Sequence, residues 1–151
     1  MNSKPAFKPS NKDLSGKKVL ILSTVWNAEI LAPMKKEICS VLENLNIECI
    51  TYECPGSLEL AARAKKLFHE SNFEGFIAIG LVVKGGTPHF KLVCKETYRG
   101  LANLAYDFPE IPVINGVLTV ENLVQAEERI NPDKINKGKE FAQSLIQLMS
   151  S

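Results

Sequence analysis

The chain has 151 residues, 45% of them apolar, with 18 basic and 17 acidic side chains and a formal net charge of +1. That length and apolar share suit one soluble domain with a sizeable core. The mixed, nearly balanced charge gives no electrostatic reason to expect nucleic acid or a membrane surface as a partner. No apolar run is long enough to span a bilayer, and the start lacks a signal-peptide pattern. Cys39, Cys49, Cys54 and Cys94 show no close-paired metal spacing and read as reduced thiols of a cytoplasmic protein. A zinc site on Cys49 and Cys54 would lack a second pair of ligands.

Residues 1–16 are polar and carry Pro5 and Pro9. Alone they are expected to be extended or disordered, or else to add as an edge strand to a neighbouring subunit. The domain proper is expected over 17–151. Its first strand is Lys17 to Ser23 (KKVLILS), followed by Thr24, Val25, Trp26 and Asn27. Trp26 is either a core residue or an indole presented where open sheets bind ligands. Ile30, Met34, Ile38, Val41, Leu42 and Leu45 recur at helical spacing. Pro33 sits awkwardly in that pattern, so the regular helix is expected to start near Pro33 or kink there.

A second strand covers Ile47 to Tyr52. Pro55-Gly56 then makes a turn, and Ser57 is placed to cap a helix running to about His69. Glu59 falls in its first turn, either as a dipole partner or as an acceptor for hydroxyl groups at the strand end. His69, near that helix's end, reads as inert.

The stretch GFIAIGLVVKGGTPHF, Gly75 to Phe90, is the richest in the chain. Phe76 to Val83 reads as a parallel strand buried on both faces. Gly85 and Gly86 allow a tight turn and close approach of another molecule. Thr87 is a good N-cap and Pro88 suits the first helical position. His89 then lies in a first helical turn, beside free N–H groups and the positive dipole end, where an anion would bind. The dipole disfavours an imidazolium, so His89 reads as a proton acceptor. A structural histidine after a routine glycine turn is the plainer alternative.

A helix with Phe90, Val93, Cys94, Thr97, Leu101, Leu104 and Ala105 on one face follows, then a fourth strand, Ile111 to Leu118. Asn115 in that strand is either a satisfied amide or a residue facing a ligand. Thr119 is placed to cap a helix from about Val120 to Ile130 containing Arg129. Pro132 breaks it, and a last helix spans about Asn136 to Met149. The order β-α-β-α-β-α-β-α-α implies an α/β, flavodoxin-like, doubly wound four-stranded parallel sheet with helices on both faces. Trp26, Ser57 to Glu59, Val82 to His89 and Asn115 are all expected at or just after strand carboxyl ends, where open sheets place ligands. A flavodoxin-like signalling receiver would need acidic residues after the first strand and an aspartate after the third. Trp26-Asn27 and Lys84-Gly85 stand there instead.

Taken together, STVWN (23–27), PGSLEL (55–60), AIGLVVKGGTPHF (78–90), PVINGVLTVEN (112–122), QAEER (125–129) and NKG (136–138) resemble the lumazine synthase family in order and spacing. The resemblance covers nearly all of the chain after Lys17. It implies condensation of 5-amino-6-(D-ribitylamino)uracil with 3,4-dihydroxy-2-butanone 4-phosphate, without metal or redox cofactor, in the penultimate step of riboflavin biosynthesis. It assigns Trp26 to stacking on the pyrimidine, and Ser57, Leu58 and Glu59 to the ribityl chain and ring. Leu81, Val82 and Val83 would hold the pyrimidine through their backbone, with Asn115 also among the substrate-binding residues. Gly86, Thr87 and Arg129 would bind phosphate, His89 would transfer protons, and Lys137 is a lesser candidate.

Some positions depart from the pattern. Gly86 replaces a residue with a side chain in many members, and Leu58 and Asn115 stand where several relatives have phenylalanine. Pro132 lies in the loop that correlates with assembly size in the family. The resemblance further implies a homopentamer or a multiple of it, with Asn115 and Arg129 serving a neighbour's Trp26 and His89, and riboflavin synthase as a candidate partner. The alternative is a paralogue of the same fold that binds a flavin or lumazine, or acts as a scaffold, without turnover.

Overall fold

A computed structural model describes residues 3–8 and 12–151. The expected arm, 1–16, is therefore covered in part. Residues 3–8 carry no regular secondary structure, the carbonyl of Lys8 accepts from Gln147 Nε2 at 3.0 Å, and residues 1, 2 and 9–11 lie outside the described residues.

Four parallel strands form the sheet: β1 (Lys18–Thr24), β2 (Glu48–Cys54), β3 (Gly75–Val83) and β4 (Val113–Val120). Their spatial order is β2-β1-β3-β4. The central strands β1 and β3 are almost wholly buried, as their branched apolar runs require. β2 and β4 are edges, with several half-buried or exposed residues.

The helices α1 (Ala28–Glu43), α4 (Leu123–Ile130) and α5 (Lys137–Met149) cover one face, where Ile21, Ile77 and Ile79 meet Leu31, Ile38, Ile130 and Leu145. α2 (Leu60–Glu70) and α3 (His89–Asp107) cover the other, where Leu20, Leu22 and Phe76 meet Leu67, Phe68 and Leu104. Phe68 stands edge-on to Phe76 and Phe108, with ring centroids 5.5 and 5.2 Å away. Such pairs add about 1 kcal/mol each beyond the area they bury. The doubly wound arrangement is as expected, and it opens a crevice between the carboxyl ends of β1 and β3, where the chain's winding reverses.

Local starts and stops differ from the expectation in four places. α1 begins at Ala28 and runs through Pro33. The missing N–H costs only the bond to the carbonyl of Glu29, and both residues are exposed, so water can satisfy that carbonyl. Ser57 does not cap a helix. Residues Ser57–Glu59 form a 3-10 turn, closed by Glu59 N–H to the Gly56 carbonyl at 3.2 Å, and α2 starts after it. α3 starts at His89, one residue later than expected, and Thr87 Oγ1 accepts from His89 N–H at 3.4 Å. Thr119 and Val120 belong to β4, and Asn122 is the cap of α4, accepting from Gln125 N–H at 2.9 Å.

Candidate active site

Trp26 is held by its backbone and free at its ring. Its N–H donates to the Pro55 carbonyl at 3.2 Å, and its carbonyl accepts from Thr24 Oγ1 at 2.6 Å. Trp26 is 74% exposed, which excludes the core reading. A large apolar ring fixed in water at a strand's carboxyl end is a stacking platform rather than a packing element.

That platform borders a cavity of about 470 Å3, a size that suits a small-molecule site. Ser57, Leu58 and Glu59 line it from the 3-10 turn, and Leu81, Val82 and Val83 from the end of β3. Gly85, Thr87 and His89 close it from the α3 side. The segments that sequence spacing set apart by about sixty residues thus meet at one sheet edge. Gly86 lies between lining residues and is exposed, with nothing within 4 Å of where a Cβ would stand.

The N-terminus of α3 faces the glycine turn, so its free N–H groups and positive dipole end favour an anion there. The Glu59 carboxylate is exposed at the mouth beside Gly56. Cys54, directly behind the turn, is no nucleophile. Burial first, and the Glu59 charge second, push its thiol up to about 11. Cys54 and Cys49 face opposite helical layers, so they share no metal site.

Two expected residues stand apart from this cavity. Asn115 is not at a strand's carboxyl end. It is the third residue of the edge strand β4, paired with Ala78 towards that strand's amino end, and its Oδ1 accepts from Val117 N–H at 2.9 Å. Tyr98 Oη donates to the Val117 carbonyl at 2.9 Å, so two side chains occupy this stretch of the sheet's open edge. Arg129 lies in the last turn of α4, where a guanidinium nitrogen donates to the Gln125 carbonyl at 3.0 Å. Lys137 contacts Glu140 at 3.4 Å, at the start of α5.

Four further lining residues are given no site role by the sequence, though Asn27, Gly56 and Phe90 lie inside the family-like stretches. Asn27, Gly56, Phe90 and Val93 join the cavity through tertiary placement. Gly80 acts from behind it. A Cβ there would stand 2.9 Å from Ser57 Oγ, so the glycine leaves the space in which that hydroxyl sits.

Comparison with known proteins bears on the fold and the family. A crystal structure described as a lipoprotein from Peptoclostridium difficile 630, a fragment, superposes with a TM-score of 0.52 at 13% identity, covering 89% of this chain and 99% of that one. At that identity the likeness shows the fold alone. A 6,7-dimethyl-8-ribityllumazine synthase from Chlorobium phaeobacteroides (strain DSM 266 / SMG 266 / 2430) is 43% identical over 103 residues. The aligned segment spans 68% of this chain and 66% of that relative. The family model described as 6,7-dimethyl-8-ribityllumazine synthase matches residues 16–151, from the threshold of β1 to the last residue, and the chain therefore belongs to that family.

Proposed function

We propose that this chain condenses 5-amino-6-(D-ribitylamino)uracil with 3,4-dihydroxy-2-butanone 4-phosphate to 6,7-dimethyl-8-ribityllumazine, releasing phosphate and water. The free amine attacks the ketone, a Schiff base forms with loss of one water, phosphate is eliminated, and the ribityl-bearing nitrogen closes the ring on the remaining carbonyl with loss of a second water. One observation carries this reading. Trp26, Ser57 to Glu59, Leu81 to Val83, Thr87 and His89 line a single cavity, and these are the positions the family resemblance gives to ring, ribityl chain, phosphate and proton transfer. Both substrates are reactive already, so holding them in register supplies much of the acceleration. Gly86 and Thr87 take the phosphate at the α3 N-terminus, and His89 moves protons. A cytoplasmic setting is part of this reading, from four cysteines without a close-paired spacing in the sequence.

The test is a steady-state assay with both substrates, following lumazine absorbance. Saturable turnover is expected. Tight binding of the pyrimidine or of riboflavin without turnover would favour the non-catalytic paralogue and point to Leu58, which lines the cavity at 51% exposure.

In this reading the site is completed by a neighbouring subunit of a pentamer, which brings Asn115 and Arg129 to another chain's Trp26 and His89. The position of both residues off the cavity within one chain supports it, as do the exposed apolar side chains of Leu92, Leu123 and Val124. The arm is proposed to pair with a neighbour's sheet edge. Arg129→Ala is expected to raise the apparent KM for the phosphate substrate about tenfold or more, and that for the pyrimidine far less. Equal effects on both would remove Arg129 from phosphate recognition. With the phosphate substrate held well below the wild-type KM, so that Arg129→Ala is itself impaired, co-expression of His89→Ala with Arg129→Ala subunits should then restore full activity in about a quarter of the sites, because a shared site can draw each intact residue from a different chain. Co-expressed variants no more active than either alone would place the site within one subunit.

Gly80→Ala is expected to push the Ser57 hydroxyl aside and raise the KM for the pyrimidine several-fold, with a stability change within about 1 kcal/mol because the displaced group is a side-chain tip. An unchanged KM would show that Ser57 does not contact the ribityl chain.

A further inference from the structure

β1 and β3 pair only as far as Ser23 and Ile79. Past that rung β1 bends towards β2. Val25 and Trp26 donate their N–H groups to the carbonyls of Cys54 and Pro55, at 2.8 and 3.2 Å. β3 continues to Val83, paired on its other side with β4. The flank of β3 that faced β1 therefore loses its ladder just before Leu81, a residue 4% exposed, and a carbonyl turned to that flank needs a donor from elsewhere.

Asn27 supplies it. Its Nδ2 donates to the Leu81 carbonyl at 3.1 Å, in place of the rung that β1 no longer provides. The side chain reaches because the Asn27 backbone is left-handed, with φ 62° and ψ 25°, a conformation that asparagine tolerates better than most residues. One amide thus joins the turn that presents Trp26 to the strand end on the opposite wall of the cavity.

We propose that Asn27 is a positioning residue for pyrimidine recognition: its amide holds the Leu81–Val83 backbone at the register and spacing from Trp26 that a flat ring needs. The proposal rests on the condensation reading above, in which the backbone of Leu81, Val82 and Val83 grips the ring stacked on Trp26. The stacking wall and the hydrogen-bonding wall come from different strands, and the gap between them is the one the side chain spans.

Trp26 is the chain's one tryptophan, so indole fluorescence reports on this wall directly. Wild-type protein and Asn27→Gly, which keeps the left-handed turn and removes the amide, are titrated with 5-amino-6-(D-ribitylamino)uracil alone and then assayed with both substrates. Affinity for the pyrimidine is expected to fall about tenfold in Asn27→Gly, the loss of one well-placed hydrogen bond, while the KM for the phosphate substrate stays within about twofold. Should Asn27→Gly fold poorly, Asn27→Asp keeps the size and turn preference but cannot donate, and the same selective loss is expected. Unchanged pyrimidine affinity, or equal losses for both substrates, would overturn the positioning role. Wild-type protein that binds the pyrimidine without turnover would sink the condensation reading and leave the Asn27 comparison to be decided by binding. Wild-type protein that does not bind the pyrimidine would overturn both.

Discussion

His89→Ala is expected to lower kcat by about a hundredfold or more, with the assembly's sedimentation and far-UV circular dichroism unchanged. The imidazole is exposed at the first residue of α3 and lines the cavity that Trp26 borders, so its removal takes nothing from either packed layer. The α3 N-terminus beside it favours an anion, which suits the proposed phosphate position. An imidazole at that position can take a proton from the attacking amine and return one as water or phosphate departs. Positioned proton transfer of that kind contributes about 10²–10⁴ to a rate. The remaining rate measures what binding and orientation supply alone. A variant that keeps near-wild-type kcat would remove His89 from the chemistry and leave the cavity with positioning as its whole contribution.

The strands were the most legible part of the sequence because their signal is local and redundant. KVLILST and GFIAIGLVV are apolar, branched and buried on both faces, and no other packing suits such runs in an α/β chain. Helix starts were less legible, since a neighbour in space can overrule a cap. Thr119 has cap chemistry, but Val120 is buried as the last residue of β4, so the strand wins and Asn122 takes the cap. Pro33 argued for a late start to α1, yet Leu31, Met34, Ile38 and Leu42 bury one continuous face that outweighs a single lost hydrogen bond near the exposed beginning.

For the site, the sequence carried residue types and family order but not which walls touch. Asn27 and Leu81 lie 54 positions apart, and nothing in either neighbourhood announces their bond. Asn115 was ambiguous for a similar reason. An amide in a strand has many possible partners, and only the fold shows it taking the N–H of Val117.

Gly116→Ala is expected to cost about 3 kcal/mol of stability and lower the unfolding midpoint by about 6–12 °C. Gly116 is buried in β4, and a Cβ there would stand 2.5 Å from the Ala78 carbonyl oxygen of β3, with the Phe141 ring of α5 at 3.3 Å behind it. The contrast with Gly80 decides the magnitude. At Gly80 the added carbon meets a serine hydroxyl, which rotates away and costs the site rather than the fold. At Gly116 it meets backbone held in the β3–β4 ladder and backed by an aromatic ring, so either the ladder widens or α5 lifts from the sheet. Both movements disturb Phe141, which packs against the core of the layer that α5 shares with α1. Thermal unfolding of the two variants side by side checks the argument. A Gly116→Ala midpoint within about 2 °C of wild type would mean that β3 and β4 can part at Ala78 without loss, and that the close approach there is not what holds α5 to the sheet.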